Sequence, residues 1–227
     1  KGLTKDKDPR VRRISETMKE RGLDNAAQWR ARMYHEGAFG CKGKTLTRSG
    51  DLAELLGAVY GDGSLYVFKR TEYLRVACNT RYPEWIERCA WLIEKVFDKT
   101  PSVKKRVQCN CVDITLYQKH ISARLGIEAG AKGHRQIRVP SWILREQRFI
   151  LRYLRGLYEA EGSLSVHEPT YTHKFVFTNK NESLLDHVEL LWQRLGFHPH
   201  RSKYKVQISR KTEVYAAAQL IQFRKYK

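Results

Sequence analysis

The amino-acid sequence predicts an α+β protein of two pseudo-symmetric halves behind a basic N-terminal extension, and two observations predict it. Residues 52–65 (LAELLGAVYGDGSL) and 151–164 (LRYLRGLYEAEGSL) repeat one another at an offset of 99. The offset matches Gly57 with Gly156, Asp62 with Glu161, Gly63 with Gly162, Ser64 with Ser163 and Leu65 with Leu164. Downstream of each copy, apolar residues recur every second position, then every third or fourth, then every second again. That is the mark of strands alternating with amphipathic helices. Each half therefore reads helix, two strands, helix, two strands, helix. Two copies imply an internal pseudo-twofold and not a solenoid.

The elements follow in order. Residues 1–50 lie outside the repeat as a basic extension, with a helix predicted from Pro9 to Arg21, a stop at Gly22 and a glycine-rich run at 35–44. Residues 51–130 form the first half, 131–150 a linker and 151–227 the second half. Residues 75–81 (RVACNTR) align with 174–180 (KFVFTNK), the second strand of each half. The stripes Trp85, Ile86, Leu92, Ile93 and Leu184, Leu185, Val188, Leu191, Trp192 mark the following helices. Strands at 111–117 and 205–210 come next, each followed by a closing helix. Between the halves, GIEAGAKGHRQ (126–136) is turn-rich.

Charge narrows the partner. Lys and Arg number 43 against 24 Asp and Glu, a net +19 spread along all 227 residues. A surface of that sign suits a polyanion, nucleic acid before anionic membrane. No apolar run is long enough to span a bilayer and no signal-peptide pattern opens the sequence, so no membrane partner is expected. Five cysteines (Cys41, Cys78, Cys89, Cys109, Cys111) without metal-ligand pairing fit an intracellular, reducing compartment, cytoplasm or organelle. His198 and His200 read as a loop and not a metal site.

The repeated segments carry the chemistry. Gly61-Asp62-Gly63 and Ala160-Glu161-Gly162 end the motif helices, where glycine permits a left-handed stop. Unpaired carbonyls and the negative end of the dipole gather there. Ala53, Gly57 and Gly61, like Gly156 and Ala160, are small residues four apart, a spacing that lets two helix backbones approach closely. Packed together, the helices would deliver Asp62 and Glu161 side by side. Two bare carboxylates ~4 Å apart repel by roughly 4 kcal/mol at an effective dielectric of about 20. Divalent cations relieve that repulsion, and the carbonyls of Gly61 and Ala160 add hard oxygen ligands suited to Mg²⁺ or another divalent ion such as Mn²⁺. Metal held this way can activate water and stabilise the leaving oxygen of a phosphodiester.

LLGAVYGDG (55–63) and LRGLYEAEG (154–162) resemble the two motif copies of single-chain LAGLIDADG homing endonucleases. The likeness runs from Leu52 to the C-terminus. It implies αββαββα repeats whose two antiparallel sheets form a saddle over DNA, a monomer, and a metal-dependent endonuclease hydrolysing both strands of a long asymmetric target. It also implies that Asp62 and Glu161 bind the metal and are catalytic. Tyr60 departs from the motif at its first Asp, a packing position. Polar or basic residues near the metals correspond to Asn79, Thr80, Arg81 and Thr178, Asn179, Lys180, among which Arg81 and Lys180 are the expected charge stabilisers.

Alternation divides each sheet into two faces. Leu65, Val67, Leu74, Val76, Val112 and Ile114 should face the first core; Leu164, Phe175, Phe177, Val206 and Ile208 the second. The opposite face then offers DNA Tyr66, Arg70, Tyr73, Arg75, Asp113 and Thr115, with Lys104, Arg106 and Gln108 on the neighbouring strand. In the second half it offers His167, Lys174, Thr178, Lys203, Lys205, Gln207 and Ser209. Arg, Lys, Gln and Thr on one face suit base edges in a major groove. Two other functions use the same fold: a group I intron maturase binding intron RNA, and an inactive DNA-binding regulator. Intact acids in both motifs argue against the latter.

Overall fold

The structure, a computed structural model, describes residues 2–23, 28–29, 32–33, 45–133 and 135–225. It separates into two compact units, Lys1–Cys41 and Lys42–Lys227. In the first, helix α1 (Pro9–Glu20) starts at a proline whose missing N–H needs no partner in the first turn. The Asp8 carboxylate caps it, accepting from the Arg10 N–H at 2.9 Å, and Gly22 follows it at φ +60°. The glycine-rich run 35–44 and Cys41 lie outside the described residues.

The second unit begins before the repeat, with Leu46 already in its core. Helix α2 (Gly50–Asp62) leads into β1 (Gly63–Val67) and β2 (Glu72–Asn79), then α3 (Pro83–Phe97), β3 (Ser102–Lys105) and β4 (Cys111–Gln118). Short helices α4 (Ile121–Leu125) and α5 (Ser141–Arg145) frame the linker. The pattern then recurs as α6 (Gln147–Glu161), β5 (Gly162–His167), β6 (Thr172–Thr178), α7 (Glu182–Arg194), β7 (His200–Ser202), β8 (Lys205–Ile208) and α8 (Lys211–Leu220). The strands form two antiparallel sheets of matching order, β1-β2-β4-β3 and β5-β6-β8-β7. This is the α+β architecture the repeat implied.

Helices α2 and α6 pack against each other at the centre. Every residue from Leu52 to Tyr60 is buried, so α2 has no solvent face over that stretch. The two helices meet backbone to backbone. A Cβ on Gly57 would overlap the Tyr153 carbonyl oxygen and come within 2.8 Å of the Leu157 nitrogen. One on Gly156 would overlap the Glu54 carbonyl oxygen and come within 2.8 Å of the Ala58 nitrogen. Toward their N-terminal ends the helices are locked by charge. The fully buried Glu54 carboxylate accepts two bonds of 3.0 Å from Arg88 on α3 and pairs with Arg152 on α6 at 2.6 Å. Arg155 stands 3.7 Å away as a third cation, so the buried carboxylate is compensated from both α3 and α6.

The two hairpins differ in register. Gly63 pairs with Val76, whereas Gly162 pairs with Phe177, two positions beyond the residue equivalent to Val76 at the repeat offset. An even slip keeps each side chain on its face. Leu65, Leu74, Val76, Val112, Ile114, Phe175, Phe177, Val206 and Ile208 are buried as expected. Val67 and Leu164 are not, at 63% and 37% exposed. Val67 pairs with Glu72 at the turn end of its hairpin, beyond the last core layer. Leu164 lies on an edge strand. The equivalent Leu65 is closed over by the segment leading into the linker, whose Gly130 N–H donates to the Leu65 carbonyl at 2.8 Å. Among the described residues no such bond reaches Leu164.

Candidate metal centre and nucleic-acid interface

The motif helices do not end in left-handed glycines. Gly63 (φ −83°, ψ 157°) and Gly162 (φ −90°, ψ 154°) are extended, so each helix passes directly into its strand. Glycine is required there by space and not by backbone sign. A Cβ on Gly63 would stand 2.5 Å from the Val59 Cα, and one on Gly162 2.7 Å from the Tyr158 ring. At the same end, a Cβ on Gly61 would be 2.5 Å from the Ala160 Cβ and 3.5 Å from the Glu161 Cγ. The two C-terminal ends touch, and Asp62 and Glu161 share one electrostatic environment.

The pair behaves as crowded acids should. The Asp62 pKa is raised to about 7, first by desolvation and then by the charge of Glu161, with Lys132 opposing. Asp62 still presents surface to solvent, so the thinning of water around it comes from the protein mass at the joined helix ends. Glu161 is raised as well, by desolvation that Lys132 moderates.

Lys132 is the residue that sequence reasoning missed. Its ammonium donates to three consecutive carbonyls at the end of α2, Val59 at 2.7 Å, Tyr60 at 3.0 Å and Gly61 at 2.9 Å. A cation there satisfies orphan carbonyls and the helix dipole at once. Burial lowers its own pKa to about 8, with Asp62 and Glu161 pulling the other way. The second half holds it in place, since the buried Asn181 amide donates to the Lys132 carbonyl at 2.8 Å and the Arg135 carbonyl at 2.7 Å. A lysine between glycines in a turn-rich stretch has the composition of a solvated loop, and no periodicity singles it out.

The Gly61 carbonyl, expected to be free for metal, is thus already an acceptor for Lys132. Arg81 and Lys180 stand exposed at the corners after β2 and β6, and the cation that bears on the acids is Lys132 instead. Those corners share an Asx turn: the side chain of Asn79 accepts from the Arg81 N–H, and that of Asn179 from the Asn181 N–H, both at 2.9 Å. Asn179 also donates to Glu161 at 3.4 Å.

Two carboxylates suit a hard divalent ion such as Mg²⁺, which keeps several waters and binds through one or two acids plus substrate phosphates. Among the described residues no group of three or more His, Cys, Asp and Glu is gathered to hold a metal. Asp62 and Glu161 would be its anchors, with the Ala160 carbonyl nearby.

The outward sheet face lies beyond these junctions. Ser64, Tyr66, Tyr73, Arg75, Asp113 and Thr115 share it in the first sheet, with Lys104 paired to Asp113. Arg75 donates to Ser64 at 3.2 Å, and Arg106 grips Asp113 through two bonds of 2.8 and 2.7 Å. Asp113 is therefore spoken for. Strand β3 ends at Lys105, so Arg106 follows it, Gln108 lies in the hairpin turn and Arg70 in the β1–β2 turn. In the second sheet His167, Lys174, Thr178, Lys205 and Gln207 share the outward face; Lys203 is in the β7–β8 turn and Ser209 just past β8.

A family model of the LAGLIDADG-like domain matches residues 148–226. The homing endonuclease I-DmoI of Desulfurococcus mucosus is 31% identical over 153 residues, which span 65% of this chain and 72% of that protein. The chain belongs to the LAGLIDADG homing endonuclease family. Solved LAGLIDADG structures share its fold. I-DmoI in complex with DNA and Mn superposes with a TM-score of 0.51 at 18% identity, covering 76% of this chain and 96% of that one. The N-terminal LAGLIDADG domain of DUF199/WhiA gives 0.52 at 17%, covering 77% and 82%. Asp62 and Glu161, which end the two repeated segments, stand at the join of the two central helices.

Proposed function

We propose that this protein is a site-specific endonuclease that, as a monomer, cuts both strands of a long asymmetric DNA target at Asp62 and Glu161. The observation that carries this reading is the meeting of two motif acids at the touching ends of buried helices, beside a lysine that no solvated loop would need. A divalent ion held by the two acids supplies Lewis-acid stabilisation to the phosphate and its leaving oxygen. The remaining roles belong to the chain. Lys132 favours the ionised form of both acids near neutral pH, where Asp62 would otherwise hold its proton. Asn179 orients the Glu161 carboxylate. Arg81 and Lys180, exposed at the strand ends, meet phosphates flanking the cut, and the basic sheet faces fix the register on the duplex. Because the two faces carry different side chains, the target is not a palindrome.

The test uses supercoiled plasmid carrying a site selected from a randomised library. Wild-type protein with Mg²⁺ should yield linear product, and EDTA none. Asp62→Asn and Glu161→Gln should each lose double-strand cleavage by orders of magnitude while still binding the site. Linearisation at the wild-type rate by either variant defeats the assignment.

A further inference from the structure

The outer end of the first sheet carries four aromatic rings in contact. Tyr73 on β2 lies 4.8 Å from Tyr117 on β4, 6.0 Å from Tyr66 on β1 and 6.4 Å from Phe68 in the turn, centroid to centroid. Three of them are open to solvent, with Tyr66 45%, Phe68 53% and Tyr117 52% exposed. Connected exposed rings on a soluble surface mark a contact site. Lys69 and Arg70 lie in the adjoining β1–β2 turn and Arg75 beside Tyr73, a setting that favours an anionic occupant with apolar features. The cluster also continues the face on which Arg75 and Ser64 point outward.

A major groove meets both conditions, since it is lined by phosphates and its thymines present C5 methyl groups to apolar side chains. The second sheet is different. At the repeat offset Tyr66, Phe68 and Tyr73 correspond to Ser165, His167 and Thr172, which are hydrogen-bonding groups. At ~3.3 Å per strand residue, Tyr66 stands about 13 Å from Asp62, roughly four base pairs along a duplex.

We propose that Tyr66, Phe68, Tyr73 and Tyr117 form a thymine-reading platform, packing on C5 methyls roughly four to six base pairs from the cut in one half-site only. The inference rests on the endonuclease reading of this face and adds to it a division of labour, with methyl contacts in one half-site and hydrogen bonds in the other.

The experiment selects duplexes from a randomised pool with wild-type protein and Ca²⁺. The best duplex is then resynthesised with uracil in place of thymine, one position at a time. Thymine should be enriched at two or more neighbouring positions of one half-site. Each uracil there should weaken binding about fourfold, the equivalent of one buried CH₂, and uracil in the other half should change nothing. The variants Tyr66→Ser and Tyr117→Thr, both at exposed positions, should lose the thymine preference and keep the rest of the selected sequence. A defined site in which uracil is accepted without loss at every position overturns the platform and leaves the endonuclease reading intact. Failure to select any duplex overturns both. Self-association of the wild type that Tyr66→Ser abolishes, without change in the selected sequence, makes the patch a protein contact and also overturns the platform.

Discussion

Lys132 Nζ lies 2.9 Å from the Gly61 carbonyl oxygen, so a residue of the linker closes the end of the first motif helix next to Asp62. That single side chain ties helix termination, the charge of the acids and the joining of the halves to one position.

Replacing Lys132 with Met should therefore affect both stability and chemistry. A cation at a partly buried helix end is worth up to about 2 kcal/mol. At about 2–4 °C per kcal/mol for a chain of this size, the melting temperature should drop by roughly 4–8 °C. Cleavage should slow more than tenfold while DNA affinity changes little. Thermal unfolding together with the plasmid assay checks this, and an unchanged melting temperature contradicts the bonds to the three carbonyls.

The acids should also leave a signature in metal-free stability. Asp62 ionises near 7 when folded and near ~3.9 when unfolded, so between those values the folded chain holds the proton more tightly. Its contribution is full below about pH 4 and lost as pH rises through about 7. Lys132 ionises near 8 when folded and near ~10.4 when unfolded, so the cost of burying its charge is relieved as pH rises above about 8. Urea denaturation in EDTA should show a dip in stability near pH 7–8. The Asp62→Asn variant should flatten its acid side, and Mg²⁺ should fill it.

The central helix pair gives a prediction whose sign runs against propensity. In an ordinary helix Gly→Ala gains about 1 kcal/mol. At Gly57 or Gly156 the added methyl meets the backbone of the opposite helix, which cannot rotate away. Overpacking of this kind typically costs about 1–3 kcal/mol. Gly57→Ala and Gly156→Ala should each lower the urea midpoint, whereas a stabilised variant would mean the helices stand further apart.

The basic sheet faces should make binding steeply dependent on salt. Neutralising roughly six to ten phosphates gives a log–log slope of about −5 to −9 for a specific duplex. A fluorescence-anisotropy titration across salt concentrations measures it. A slope shallower than about −2 is incompatible with a duplex lying along both sheets.

Much of this architecture is legible in the sequence because repetition and periodicity are strong signals. The offset of 99 identified the paired acids, and alternation placed Phe175 and Phe177 inside while Lys174 faced out. What escaped lies where local pattern carries no information. Lys132 acts through carbonyls some seventy residues away in the chain. Gly63 is required by contact with Val59 and not by a left-handed backbone, a distinction sequence cannot make. Val67 and Leu164 obey the alternation but lie past the end of the layer that would cover them or on an uncovered edge, and burial depends on neighbours that periodicity does not see.

The way Lys132 is held limits how freely the two halves could be exchanged or separated. Its side chain belongs to the end of α2, its backbone to Asn181 at the start of α7, and the segment just before it to β1 through Gly130. A chimera that took each half from a different relative and joined them with a neutral tether would keep both motif acids and lose the clasp between them. The transferable module is therefore a half together with the residues around Lys132 and an asparagine to receive them.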